Sequence, residues 1–505
     1  MKIIKRLLGL GLSYMLIHAL LPASALAAPI GTPTLVNQYT AGTQNIVAVA
    51  EAGNGEKIIL WQDNDRGGAS FIQLYDGDGN AKFSSDFYVG MNASGISADL
   101  FGNFAVIYSE HDGSQRDVYV KGFNRDGTVK FNKIKVHPNS SLDQFPGDIA
   151  MEDSGNFVVT WTDGTPSNRS IRFQRFNSSG QKLGSYVQVI SNSGNLGASG
   201  LDVLDNGVIV VSYYLIINND ADTWVRRYSN SGASLGSATR VNQYRSGPQI
   251  GTGITHNGQD QYLVYWDSYS QDGQGWSSYA QLFNNSGSRI GSPFRLTQTL
   301  VSGQPGVRVS MSDSGVFAAT WEVDNRSWDS SHIPEIRARE FNANLTPKGN
   351  EFVVSPTGEF SEVSWVSINA NGEYSISWRR YDSTNNWDVF TRRYTSIEPN
   401  PAYTLPNHVQ VTIPSANVDN WVYFKVVIPE GVTSFFVDIE GTQGNADLFM
   451  RYGSLPDLLN YHFLTNEPDS TEYLGIGNPP PGEWYIGVYA DTAYSNLKLY
   501  VNYYF

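Results

Sequence analysis

The chain has 505 residues, with 34 Lys and Arg against 48 Asp and Glu and a formal net charge of −14. That length permits more than one domain with a sizeable core, and the acidic balance argues against a nucleic acid or an anionic membrane as partner. Cysteine is absent, which excludes a disulfide framework, a thiol nucleophile and a thiolate metal site.

Lys2, Lys5 and Arg6 form a basic leader, Leu7 to Leu21 is an apolar run, and Ala25-Leu26-Ala27 has the small-x-small pattern of a processing site. Residues 1–27 therefore read as a signal peptide, with a retained N-terminal anchor as the competing reading. The run is short for a membrane span, and no later stretch is long enough for one. The expected location is extracellular. Loss of the three leader cations would bring the exported chain to −17.

Downstream, a short apolar phrase closing on Trp or Tyr recurs seven times, ending at Trp61, Tyr108, Trp161, Tyr213, Trp266, Trp321 and Trp378. The intervals lie between 47 and 57 residues, and self-similarity at that period marks a repeat architecture. Each unit reads as four strands. The first ends in a Gly/Asn/Asp turn, the second is the phrase itself, and the third carries an aromatic at Tyr75, Phe123, Phe176, Tyr228, Phe283, Phe341 or Tyr394. A fourth strand such as Gly236–Gln243 closes the unit. Turn residues at regular spacing with no helical periodicity indicate all-β structure, and four strands in seven units predict a seven-bladed β-propeller over residues 28–398. Aromatics at equivalent positions in every unit are expected to pack between neighbouring sheets rather than stack on ligand.

The seventh unit stops after its third strand, at Tyr394, and a proline-containing linker (residues 399–402) follows. The missing strand is found at the other end. Gly31–Gln38 matches Gly236–Gln243, so an N-terminal strand is expected to complete the last unit and remove an open sheet edge.

Within a four-stranded meander, the loops between strands two and three share one face with the connections between units. Those loops are long, polar and acidic, as binding loops usually are. Trp276, Trp328 and Trp387 lie in three successive ones, beside Asp272, Asp329 and Asp388. A Trp flanked by carboxylates suits a sugar ring, whose apolar face stacks while its hydroxyls bond the acids. The alternative is that each Trp folds back over its own sheet. No G-x-S-x-G or H-E-x-x-H motif is present. His111, His137 and His332 are assigned to the same face and are the candidate bases for an enzyme, although nothing in their spacing brings them together. No cofactor is required by the sequence. Calcium is the candidate, with Asp63 and Asp65 as metal ligands, but Leu74 stands where a calcium loop has its twelfth-position Glu, so a plain turn competes.

The fifth unit, with Tyr262-Leu263-Val264-Tyr265-Trp266, then Gln271-Asp272-Gly273, then Gln281-Leu282-Phe283-Asn284, resembles repeats of exported bacterial proteins. The resemblance implies the propeller and brings no defined activity.

From about Tyr403 the period is lost, and residues 403–505 read as a small β-sandwich with strands near 421–428, 434–439, 447–452, 482–489 and 497–503. Gly444-Asn445-Ala446-Asp447-Leu448-Phe449-Met450-Arg451-Tyr452-Gly453-Ser454 and Gly482-Glu483-Trp484-Tyr485 resemble the bacterial pre-peptidase C-terminal domain. Asn445 replaces an Asp of the family pattern, which would weaken a metal site there. The resemblance implies passage to the cell exterior and, in relatives, attachment to secreted hydrolases. The expectation is an exported protein that binds a polysaccharide or surface glycan on the loop face, with a C-terminal secretion or adhesion module. A secreted polysaccharide lyase or glycosidase on that face is the alternative.

Overall fold

A computed structural model of the chain describes residues 27–505 apart from 53–55, 77–78, 100, 112, 114, 166–167, 193–195, 218–219, 274, 328, 330, 370–371, 383–385, 396–402, 406, 414–420, 442, 453–455, 457–460, 469 and 496. The expected signal peptide up to residue 26, the linker at 399–402 and Trp328 lie outside the described residues. Among the described residues there is no helix, and all regular structure is strand.

Six consecutive four-stranded antiparallel meanders occupy residues 44–91, 93–135, 144–192, 196–240, 249–295 and 308–353, here numbered sheets I to VI. Sheet VII takes three strands from residues 361–394 and its fourth, Pro29–Leu35, from the N-terminal end. First strands of successive sheets touch from I to VII, and that of VII touches that of I, so the seven form a closed ring. The closing strand runs antiparallel to Trp387–Tyr394, with Pro29 opposite Tyr394 and Leu35 opposite Phe390. Beyond it the Val36 amide donates to the Val389 carbonyl at 2.8 Å.

The second strands are buried along most of their length and are correspondingly rich in apolar residues, as in Ile58-Ile59-Leu60-Trp61. The phrase-ending Trp and Tyr residues are all buried. At the other end of the same strand a second pairing recurs: Phe104 stacks on Phe123, Phe157 on Phe176, Tyr262 on Phe283, Phe317 on Phe341 and Tyr374 on Tyr394, with ring centroids 4.6–5.2 Å apart. These are directly opposed cross-strand residues, the arrangement in which such pairs stabilise a sheet.

A polar device also repeats. Just after the fourth strand, a side chain accepts the backbone amide of a third-strand residue: Asn37 from Val389 at 2.7 Å, His137 from Val118 at 3.1 Å, Asn242 from Thr223 at 2.9 Å, Thr297 from Ser278 at 3.1 Å and Ser355 from Ile336 at 3.0 Å. Each satisfies an amide that would otherwise be buried without a partner.

Two further sheets are built from the C-terminal residues. One has five strands in the order Tyr403–Thr404, Trp421–Ile428, Gly482–Ala490, Ala446–Tyr452 and Phe463–Thr465; the other has four, Val409–Ile413, Leu497–Tyr504, Ser434–Glu440 and Glu472–Gly477. Alternating burial along Trp421–Ile428 and Ser434–Glu440 turns one face of each inward. Phe424, Trp484 and Ile486 of the first sheet share a core with Phe435, Val437 and Leu499 of the second.

Candidate functional site

On sheets V and VII the loop edge carries an opposed aromatic pair, Tyr269 with Trp276 and Tyr381 with Trp387. The rings are tilted, with centroids 5.3 and 5.2 Å apart. Both Trp residues are half-buried and packed on their own sheets. Trp276 exchanges backbone hydrogen bonds with Val301, at 2.8 and 3.1 Å. The Arg379 guanidinium lies 4.4 Å over the ring of Trp387, and Phe360 meets that ring edge-on at 5.5 Å. The outward surfaces of the pairs are the tyrosines, Tyr269 at 39% and Tyr381 at 37% exposure.

The three acids expected beside these Trp residues have distinct local tasks. Asp272 accepts from the Ser277 hydroxyl at 2.8 Å and from the Tyr279 hydroxyl, and pairs with Arg295 at 3.2 Å. Asp329 caps its own turn through the Ser331 hydroxyl (2.7 Å) and amide (2.9 Å), and these bonds, the hydroxyl first, hold its carboxyl below the ordinary range. Asp388 is buried and accepts from the Asn37 side chain at 2.7 Å; burial pushes its carboxyl up.

The candidate histidines belong to sheets II and VI, which are not adjacent. His111 is exposed at the end of a strand, opposite Arg116. His137 is buried at 3% exposure rather than displayed on a loop. Its Nε2 accepts the Val118 amide, and its Nδ1 lies 2.7 Å from the Pro138 carbonyl, the contacts of a neutral ring that donates from Nδ1. Burial, first among the causes, lowers its pKa further. His332 contacts the Val323 carbonyl through Nε2 at 3.0 Å.

Asp63 and Asp65 also serve the loop. Asp63 is fully buried, accepts the Arg66 amide at 3.0 Å and forms an ion pair with the Arg66 guanidinium. Asp65 accepts the Thr43 amide at 2.6 Å. Among the described residues no three His, Cys, Asp or Glu side chains are placed to hold a metal ion.

The ring axis carries charged residues that no sequence motif marks. The first strands of all seven sheets enclose a cavity of about 410 Å³, with Asp148, Asp202, Arg308, Tyr265 and Trp365 among its lining residues. Asp148 accepts the amides of Ile149 (2.9 Å) and Leu201 (3.2 Å). Burial outweighs those bonds and pushes its carboxyl up to about 6. Asp202 lies 2.8 Å from His256 Nδ1, while Asp205 lies 3.4 Å from Nε2. Burial opposes the imidazolium charge, but the two carboxylates prevail and hold the pKa well above the ordinary histidine value.

Residues 422–490 match the bacterial pre-peptidase C-terminal domain. No curated protein matches the chain. Among solved structures the chain is similar to puromycin hydrolase, at 10% identity and a TM-score of 0.46, covering 77% of this chain but only 59% of the hydrolase. It is similar to a polysaccharide lyase, an ulvan lyase bound to -[GlcA(1-4)Rha3S]-, at 10% identity and 0.45, covering 72% of this chain and 93% of the lyase. A third likeness, at 9% identity and 0.42, is to the β-propeller domain of the trilobed protease from Pyrococcus furiosus, covering 70% of this chain and 94% of that domain.

Proposed function

We propose that the protein is an exported glycan-binding protein. In this reading the seven sheets are the blades of a closed seven-bladed β-propeller, residues 403–505 form a β-sandwich that assists secretion or adhesion, and the loop edge of the propeller meets the sugar. The observation that carries it is the pair of outward tyrosines, Tyr269 and Tyr381, each backed by a Trp that fixes its ring. A ring already held by packing loses little conformational entropy when a pyranose stacks on it, and the Trp behind it supplies rigidity rather than the contact itself. A lyase or glycosidase on this face would draw little from His137, which is buried and bonded through both nitrogens to backbone groups, or from His332, whose Nε2 is held by the Val323 carbonyl.

Retention on insoluble polysaccharides, together with a glycan array, tests the reading. Two stacking contacts at about 0.5–1.5 kcal/mol each predict that the double variant Tyr269→Ala, Tyr381→Ala binds about tenfold or more weakly. Absence of any retained glycan, or retention unchanged in the double variant, would overturn it.

A further inference from the structure

One first-strand position recurs around the axis. It is the residue opposite the one that precedes the buried Trp or Tyr of the second strand. By register it is Ala48 opposite Leu60, Gly95 opposite Ile107, Gly200 opposite Ser212, Gly253 opposite Tyr265, Arg308 opposite Thr320 and Trp365 opposite Ser377. In sheet III the strand bulges here, and Asp148 takes the place, its amide bonded to the Thr160 hydroxyl at 2.8 Å.

Four of the seven positions are thus Ala or Gly, and they have structural reasons to be small. A Cβ on Gly200 would stand 2.9 Å from the Gly253 Cα, and one on Gly253 would stand 2.2 Å from the Tyr265 hydroxyl. The other three are Arg, Trp and Asp, and no repeat rule asks for them. Arg308 lies with its guanidinium 4.6 Å over the face of Trp365. One of its terminal nitrogens donates to the Val307 carbonyl at 3.1 Å, and it makes no ion pair among the described residues. Its charge is nevertheless felt by Asp148, Asp267 and Tyr265.

From this geometry we propose that the axial cavity is a binding site for a small hydroxylated carboxylic acid, a sugar acid of the uronate class, with Arg308 as the group that holds its carboxylate. A guanidinium stacked on an indole is fixed in plane and presents a planar fork suited to bidentate recognition of a carboxylate. Asp148 and Asp202 are acceptors for ligand hydroxyls, and the volume falls in the range of small-molecule sites. The balance of charge narrows the class. Arg308 is the one cation among the lining residues and stands beside three carboxyl groups, Glu51, Asp148 and Asp202, so a dianionic phosphate would add repulsion, while a neutral sugar would leave Arg308 unpaired. This site is separate from the loop-edge tyrosines and does not rest on the reading given for them.

Calorimetric titration of the whole protein with D-glucuronate, D-glucose and D-glucose 6-phosphate tests the assignment. Glucuronate is expected to bind at least tenfold more tightly than either comparator, and Arg308→Gln to lose that preference while Tyr269→Ala, Tyr381→Ala keeps it. Arg308→Lys, which retains the charge without the fork, decides the matter should the Gln variant not fold, and is expected to bind glucuronate several-fold more weakly. No heat with glucuronate at millimolar concentration, equal binding of all three probes, or unchanged glucuronate affinity in either Arg308 variant would overturn the proposal.

Discussion

Replacing Asn37 by Ala should loosen the ring at its one joint between chain ends. Asn37 is almost fully buried; its side-chain oxygen accepts the Val389 amide at 2.7 Å, and its side-chain nitrogen donates to Asp388 at 2.7 Å and to the Tyr39 carbonyl at 2.9 Å. Truncation leaves a buried amide without an acceptor and a buried carboxylate short of a donor, each worth about 1–3 kcal/mol. A total of about 3 kcal/mol, set against an unfolding entropy of about 2.1 cal/mol/K per residue over roughly 370 residues, predicts a melting point lowered by about 4 °C. Asn242→Ala removes the same kind of cap inside sheet IV, where the chain is continuous. The two variants should therefore melt alike and differ in where they open. Only Asn37→Ala should raise amide exchange and proteolysis along Pro29–Leu35, because the backbone pairing of that strand is with sheet VII. Calorimetry with hydrogen exchange read by mass spectrometry measures both. Melting within a degree of the parent, or equal protection of the closing strand in the two variants, would show that closure does not depend on this cap.

Glu322 has its carboxyl pushed up to about 7, by burial first and by Glu362 next. A carboxyl raised in the folded state weakens stability as pH climbs from about 4 through 7, so Glu322→Gln should gain about 2 kcal/mol at pH 8 and almost nothing at pH 4 in urea melts. His256 behaves in the opposite sense. Its imidazolium is held by Asp202 and Asp205, so its contribution is complete below about 6.5 and lost as pH rises through the folded value; His256→Gln should be most destabilised near pH 5.5, and a gap that does not narrow at alkaline pH would contradict the pairing. Val363 sits at an exposed bulge with φ of +48°, a conformation that penalises a β-branched residue. Val363→Gly should raise stability by about 0.5–1 kcal/mol, measured the same way.

Much of the fold was legible because burial dictates composition strand by strand. The buried second strands read as predominantly apolar runs, and the match of Gly31–Gln38 to Gly236–Gln243 anticipated a closing strand paired with Trp387–Tyr394. The side chains of the loop edge were less legible. Whether Trp387 faces solvent depends on Phe360 and Arg379, which reach it from other strands, and no local pattern encodes that. His137 follows the fourth strand, which in sequence reads as a loop position. Its true position is set by alignment with Asn37, Asn242, Thr297 and Ser355, a series visible only once the amide each one accepts is known. The axial residues escaped for a related reason. The first strands of sheets I to V and VII carry a bulge, which shifts register by one residue and hides the equivalence of Asp148, Arg308 and Trp365.

In a ring of seven similar sheets, a residue demanded by the fold should recur, so departures from the repeat separate packing from other purposes. Lys57 is one departure. It stands where the other sheets have Phe104, Phe157, Ile209, Tyr262, Phe317 and Tyr374 opposite the third-strand aromatic. Burial lowers its pKa, but its ammonium lies 5.1 Å over the Tyr75 ring and donates to Ser375 at 2.8 Å and Thr391 at 3.3 Å, both on sheet VII, with the Glu51 carboxylate near. The cost of burying that charge is offset by bonds across the joint between the first and last sheets, so the departure has a structural account. Arg308 is a departure of a different kind. It crosses no joint and has no carboxylate within ion-pair distance among the described residues, and its guanidinium rests on an indole that is equally foreign to the repeat. Two adjacent sheets depart from the small-residue rule to build one cation platform facing a shared cavity, and packing requires neither residue. That contrast between Lys57 and Arg308 is why the ligand is assigned to the axis rather than to the joint.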